Sequence, residues 1–288
     1  TFDYRKTKAA WYRQWIELPA DVNGKNMELV FDAISKMADI YVNGTKVTSN
    51  VGMFGEIKAD VSSLLKPGKN LIAVYVTRDY IKDIEDADKI VDVAVTVPVT
   101  NKMLKDIAHG FYGDDPAGIW QPVSLVISNP VRIEDVFIKP NLNGATFEIT
   151  LKNYSGKKAT FSLSTDITDH NTANLFYGQE SLNKIELNSG EERVVSYSIS
   201  NLKPRLWTPQ SPNLYDFTFR LTANNQTIDN TTVLSGFRTF ESKNGLLYLN
   251  DKPYWLRGGN HTPFALAPND LKLANSFYQI MKAGNIDV

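Results

Sequence analysis

The chain has no cysteine, which removes disulfide staples, thiolate zinc sites and thiol nucleophiles together. It has no apolar run near the ~20 residues that a membrane-crossing helix needs, and its opening Thr-Phe-Asp-Tyr-Arg-Lys lacks the apolar core of a leader peptide. Charge of either sign is not in excess. The 31 basic and 32 acidic side chains leave a net charge of −1, and no basic stripe stands out, so nucleic acid is not an expected partner. Neither a phosphate-cradling glycine motif nor a Gly-x-Ser-x-Gly elbow occurs. His109 and His170 stand apart from any second histidine, and the run Asp83, Glu85, Asp86, Asp88 lacks the glycine of a calcium loop. No metal and no cofactor are expected. The absence of cysteine suits the cytosol and equally an exported protein that folds without disulfides; export is slightly favoured.

What is present is β structure. At 288 residues the chain has room for about two domains, each with its own core. Strand-like runs separated by turn signals fill most of it. Trp11 to Leu18 is closed by Pro19; Asn26 to Phe31 and Met37 to Val42 follow, the latter ending at Asn43-Gly44, a type I′ hairpin signal with Lys46 to Ser49 as the return strand. Asp60 or Ser62 is suited to cap a short helical turn with Leu64-Leu65 facing inward. After a turn at Pro67 to Asn70, Leu71 to Val76 reads as a buried strand. The stretch Arg78 to Asp115 is irregular, and Ile119 to Ile127 closes the first domain, with a boundary at Asn129-Pro130.

A second series of strands runs from Val131 to Phe240, clearest at 136–139, 145–153, 159–165, 192–199, 214–223 and 227–234. About seven strands in this length is the immunoglobulin-like count. From residue 242 the character changes. Leu246 to Leu249, Asn250-Asp251 and Pro253 to Arg257 read as a hairpin leading into a buried strand. Asn269 to Ala283 has helical spacing with a stop at Gly284, followed by Asn285 to Val288. That is the opening of a parallel βαβ unit, and Val288 reads as a cut before the unit closes. A lone strand and helix cannot bury both faces, so Tyr254, Trp255, Leu256 and the apolar side of the helix are expected to lack partners.

Five segments, in order, resemble glycoside hydrolase family 2. They are Trp11-Tyr-Arg-Gln-Trp-Ile-Glu-Leu-Pro19, Ala38-Asp-Ile-Tyr-Val-Asn-Gly44, Gly118-Ile-Trp-Gln-Pro-Val123, Leu206-Trp-Thr-Pro-Gln-Ser-Pro-Asn-Leu-Tyr215, and the junction Gly236-Phe-Arg238, Leu249-Asn-Asp-Lys-Pro253 and Leu256-Arg-Gly-Gly-Asn260. The resemblance implies a mainly β fold: a jelly-roll sandwich over residues 1–129, an immunoglobulin-like sandwich over 130–241, and a truncated start of a (β/α)₈ barrel over 242–288. It also implies a retaining glycosidase, in which two glutamates about 5 Å apart act as acid/base and nucleophile. In the family both stand on later barrel strands, so this chain is expected to contain neither.

The resemblance further implies that Asn260 contacts substrate at the end of the first barrel strand, and His261 beside it, although the galactosidase pattern separates these two residues by one. Arg257 reads as structural. Asp114 and Asp115 lie in a loop that reaches the substrate site in some members, and Phe111 and Tyr112 in the same loop are candidates for stacking on sugar. Trp11, Tyr12 and Trp120 are further aromatics to inspect, Trp11 and Trp120 reading mainly as strand-packing residues. Sequons at Asn43, Asn153, Asn225, Asn230 and Asn260 arise readily by chance in an Asn/Thr-rich chain. The expected partner is a carbohydrate substrate in the full-length protein, and a homo-oligomer is compatible with the sequence. Two other roles stay open: a module that holds glycans without cleaving them, against which the strand and helix after Leu246 argue, and a scaffold that supports a barrel and forms oligomer contacts.

Overall fold

The computed structural model describes residues 7, 9–52, 55–77, 118–259 and 271–286. The chain divides into two compact units, Thr1–Asn129 and Pro130–Val288, and both are mainly β.

In the first unit, β1 (Ala9–Leu18), β2 (Asn26–Phe31), β3 (Ile34–Val42), β4 (Thr45–Gly52), β5 (Ile57–Asp60), β6 (Gly68–Thr77), β7 (Gly118–Ile119) and β8 (Val123–Ser128) form antiparallel sheets. One has the order β1-β6-β3-β4, with β7 added to β3; the other has the order β5-β2-β8. Alternation of side chains puts every second residue on one face. Ala38, Ile40 and Val42 of β3, Val74 and Val76 of β6, Met27, Leu29 and Phe31 of β2 and Ile57 and Ala59 of β5 meet in a single core. The expected buried run Leu71 to Val76 is corrected here: only Val74 and Val76 are buried, and Leu71, Ala73 and Tyr75 face outward. β6 lies inside its sheet, so its backbone is paired on both edges while one of its faces stays wet. Its first residues, Gly68 to Asn70, belong to the strand rather than to the turn before it.

The closing strand is also corrected. Ile119 to Ile127 is interrupted at Trp120-Gln121-Pro122, and the chain changes sheets there: Gly118 and Ile119 pair with Ser35 and Ile34 of β3, whereas Val123 to Ser128 pairs with β2. Pro122 has no N–H to offer a ladder, and its carbonyl accepts instead from Asp32 N–H at 3.0 Å.

The second unit holds β9 (Val131–Pro140), β10 (Ala145–Asn153), β11 (Ala159–Asp169), β12 (Leu175–Leu187), β13 (Glu192–Ile199), β14 (Tyr215–Ala223) and β15 (Gln226–Ser235), in sheets ordered β13-β10-β9 and β12-β11-β14-β15. Phe147, Ile149 and Leu151 of β10, Leu163 and Ile167 of β11 and Phe217, Phe219 and Leu221 of β14 are fully buried in one core. Several of these rings meet edge-on, as Phe147 and Phe219 do with centroids 5.3 Å apart, an arrangement that ring quadrupoles favour. β12 is the strand that sequence pattern reads least well. Its register against β11 shifts three times, and Lys184 adopts a positive φ of 58°, so the two-residue alternation is broken along it.

Beyond β15, β16 (Phe240–Lys243), β17 (Leu246–Leu249) and β18 (Lys252–Pro253) form a small meander. Its turns Asn244-Gly245 and Asn250-Asp251 each have two consecutive positive φ values, as Asn43-Gly44 and Asn224-Asn225 do; this is the type I′ geometry that Asn and Gly tolerate. Tyr254 to Arg257 does not continue as a buried strand: Trp255 is 80% exposed. The helix α1 (Leu271–Ala283) has no buried residue, and Leu271, Tyr278 and Ile280 are exposed. It ends at Ala283, as expected, but Gly284 is not the residue that turns left-handed. Asn285, at φ 54°, takes the left-handed position, with bonds from Ile286 N–H to Met281 O and from Asn285 N–H to Lys282 O. That pair is a Schellman motif.

Candidate functional site

The six residues expected to bind substrate, Asn260, His261, Asp114, Asp115, Phe111 and Tyr112, lie outside the described residues, as do His109 and the Asp83 to Asp88 run. Among the described residues, the family-like segments serve first as structural clamps.

Asn43 is the clearest case. Its Nδ2 donates to Leu64 O and to Asn70 Oδ1, both at 2.9 Å, and its Oδ1 accepts from Leu71 N–H at 2.9 Å. Asn70 is fully buried and donates onward to Lys66 O at 2.7 Å and Gly68 O at 3.0 Å. One turn residue therefore ties the β3–β4 hairpin to β6 and to the turn after Asp60, which Asp60 Oδ1 caps at Ser62 N–H, 2.9 Å away. Gly118 opens β7 at φ 96°, and a Cβ there would collide with the Tyr12 hydroxyl. The positive φ is what calls for glycine.

In the second unit the 206–215 segment, Gly236 to Arg238 and the Asn250 turn converge. Trp207 N–H donates to Phe237 O at 2.9 Å, Arg238 lies over the Trp207 ring at 4.8 Å, and Asn250 Nδ2 donates to Trp207 O at 3.0 Å. Asn250 Oδ1 accepts from Thr239 N–H at 3.1 Å. A Cβ at Gly236 would stand 2.9 Å from Trp207 Cβ and 3.0 Å from Asn213 O. The fully buried Tyr215 accepts through its hydroxyl from Arg205 N–H at 2.9 Å.

Several titratable groups of the second unit form structural pairs. Arg132 is buried and grips Glu134 in a two-pronged bond, Nε to Oε1 at 2.6 Å and Nη2 to Oε2 at 2.9 Å. Burial pushes the Glu134 carboxyl upward, but the bonds from Arg132 and Tyr154 outweigh it and hold the group below its ordinary range. Burial and the bond to Glu134 push the Tyr154 phenol upward. His170 Nδ1 meets Asp216 Oδ2 at 3.0 Å on the surface. Among the described residues, no group of three or more His, Asp or Glu is placed to hold a metal ion. Asn153, within one of the sequons, is fully buried with Nδ2 on Lys157 O, Leu187 O and Asn188 O; its amide is committed to the fold.

One surface feature escaped the sequence reading. Trp11 is not buried in strand packing. It lies on the outer face of β1, 51% exposed, with the Tyr41 and Tyr75 rings 5.5 and 5.2 Å away. Trp15, 63% exposed, is two places further along the same face. The odd-numbered alternation Trp11, Arg13, Trp15 was the available signal; Tyr41 and Tyr75 join it only through the pairing of Trp11 with Tyr75 and of Tyr75 with Asp39.

The sequence profile described as "Glycosyl hydrolases family 2" matches residues 131–238, and that described as "Glycosyl hydrolase 2 galactose-binding domain-like" matches residues 2–109. The chain is 28% identical over 271 residues to a β-galactosidase of Thermoanaerobacter pseudethanolicus, covering 90% of this chain and 32% of that protein. It is 27% identical over 266 residues to a β-galactosidase of Priestia megaterium, covering 87% of this chain and 22% of that one. The crystal structure of a Bacteroides uniformis β-glucuronidase superposes with a TM-score of 0.71 at 25% identity, over 96% of this chain and 32% of that chain. Fold and sequence thus define a glycosidase-type β protein. The chain belongs to glycoside hydrolase family 2, and it spans about a third or less of the length of the curated relatives it matches.

Proposed function

We propose that this chain is the non-catalytic N-terminal part of a retaining exo-glycosidase that hydrolyses terminal β-linked sugars, and that the longer protein is β-galactosidase-like. The observation that carries this reading is the match to β-galactosidases over nine-tenths of the chain but only a third or less of their length. The two catalytic glutamates belong, on this reading, to the two-thirds of the longer protein outside these residues. Asn260 and His261, and the loop carrying Phe111, Tyr112, Asp114 and Asp115, contribute to substrate binding there.

In the same reading, residues 1–129 are a jelly-roll domain, 130–241 an immunoglobulin-like sandwich and 242–288 the first strand and helix of a barrel. Supporting the middle assignment are the seven strands of its two sheets and the bond from Arg205 N–H to the Tyr215 hydroxyl at the start of β14, a tyrosine-corner arrangement. Supporting the last is the apolar surface that Trp255, Leu271 and Ile280 leave uncovered.

A second reading, a carbohydrate-holding or scaffold module, is favoured by the density of clamps around Asn43 and Trp207. The test is a panel of nitrophenyl β-galactoside, β-glucuronide and β-mannoside offered to this chain and to the longest product its gene encodes. Turnover by the longer product alone supports the proposal and names the sugar. Turnover by this chain would overturn it, and silence from both would favour the module.

A further inference from the structure

We infer that the outer face of the β1-β6-β3-β4 sheet is a binding platform for an extended glycan chain, built on Trp11 and Trp15. The inference rests on the glycosidase reading for its ligand class. Pairing fixes who shares the face: Trp11 lies opposite Tyr75, and Tyr75 opposite Asp39; Arg13 lies opposite Ala73, and Ala73 opposite Tyr41; Trp15 lies opposite Leu71. The reverse face of the same strands carries Val74, Val76, Ile40 and Val42 into the core, so these aromatics do not form that core. Burying a Trp contributes on the order of 2–3 kcal/mol. Two tryptophans left more than half exposed, four residues and about 13 Å apart on one strand, forgo that gain.

The composition of the face decides between occupants. A protein interface concentrates apolar side chains at its centre and moves charge to the rim. Here the charges stand among the rings. Arg13 lies between Trp11 and Trp15 in sequence, its guanidinium 5.8 Å from the Trp11 ring centre. Lys46, opposite Tyr41, binds Asp39 at 2.7 Å, and Ser49 donates to Asp39 at 2.7 Å. A sugar needs this mixture: its C–H face lies on a flat ring, while hydroxyls at its edge take donors such as guanidinium and ammonium and acceptors such as carboxylate. Asp39 keeps that acceptor available, since the bonds from Lys46 and Ser49 hold its carboxyl below the ordinary range. Among the described residues β1 is also an edge strand, so a chain lying along it can extend past the sheet.

The test is affinity electrophoresis of the 288-residue chain in native gels cast with soluble galactan, galactomannan or xyloglucan. An oligosaccharide of the polymer that retards it is then titrated calorimetrically. At least one polymer is expected to retard the chain. Trp15→Ala should weaken the oligosaccharide affinity by roughly tenfold or more with an unchanged melting temperature, and Trp11→Ala should weaken it as well. Trp255→Ala, at an exposed tryptophan in the other unit, should leave it unchanged. Retardation by none of the polymers overturns the inference, as does retardation that survives Trp15→Ala. So does a Trp15→Ala variant whose only change is a smaller particle in sedimentation, which would assign the face to a protein contact. Failure here leaves the hydrolysis panel untouched, and failure of the panel leaves retardation measurable.

Discussion

The side-chain amide of Asn43 donates to the Oδ1 of Asn70 across 2.9 Å, joining a hairpin turn to a buried polar residue of β6. Asn70 Oδ1 also accepts from Lys66 N–H at 3.2 Å. A buried amide keeps its stability only while its partners remain, because an orphaned polar group costs about 1–3 kcal/mol.

Replacing Asn43 removes three hydrogen bonds and, with any residue other than glycine, a side chain tolerant of φ 50°. Asn43→Ala is expected to destabilise the first unit by about 2–4 kcal/mol, from the lost bonds and the strained backbone together. Asn43→Gly relieves the strain but not the loss of bonds, and should cost less. Urea unfolding followed by tryptophan fluorescence separates the two, and equal midpoints would remove backbone strain from the account.

Gly236 is set by space rather than by φ. Gly236→Ala forces a methyl against Trp207 and the Asn213 carbonyl and should cost about 1–3 kcal/mol. Gly156→Ala, where a Cβ meets nothing within 4 Å, serves as the comparison and should be close to neutral. A Gly236→Ala melting curve that matches Gly156→Ala would mean that the Trp207 clamp yields freely.

Removing the hydroxyl of Tyr215 leaves Arg205 N–H without that acceptor. Tyr215→Phe should lower the stability of the second unit by about 1–2 kcal/mol while leaving the core ring in place. Calorimetry of the variant tests whether this corner braces the sandwich.

Glu134 predicts an acid limb. Its carboxyl is held below its ordinary value of 4.5 in the folded chain, so the stability it contributes is complete above about pH 4.5 and is lost as pH falls through the lower folded value. Glu134→Gln should flatten stability against pH in that window and leave a buried Arg132 short of its counter-charge, with a net loss at neutral pH. Denaturation midpoints at intervals from pH 3 to 7 read both effects.

Much of the fold was legible in the sequence wherever alternation and turn chemistry agreed. Asn26 to Phe31, Ala145 to Asn153 and Glu192 to Ile199 are strands with the expected bounds, and Asn43-Gly44 makes the expected turn. The misreadings share a cause: local pattern does not report what a neighbouring strand supplies. Leu71 to Val76 is uniformly apolar, yet Tyr75 and Ala73 are outward because β1 and β3 lay Trp11 and Tyr41 on that face. Ile119 to Ile127 is mostly apolar, but the chain changes sheets at Pro122. The outward cluster around Trp11 was hidden because its ring neighbours, Tyr41 and Tyr75, are brought beside β1 only by pairing. Arg257, expected inside a barrel, is exposed, in keeping with the uncovered Trp255 beside it.

The central claim, that the retaining nucleophile lies outside these residues, is tested most directly by trapping it. A 2-deoxy-2-fluoro-β-galactoside with a dinitrophenyl leaving group stalls a retaining enzyme as its covalent glycosyl-enzyme. Intact-mass spectrometry of this chain and of the longest product of its gene should show one sugar adduct on the longer protein, mapped to a glutamate beyond the 288 residues, and none on this chain. An adduct on this chain would contradict the account.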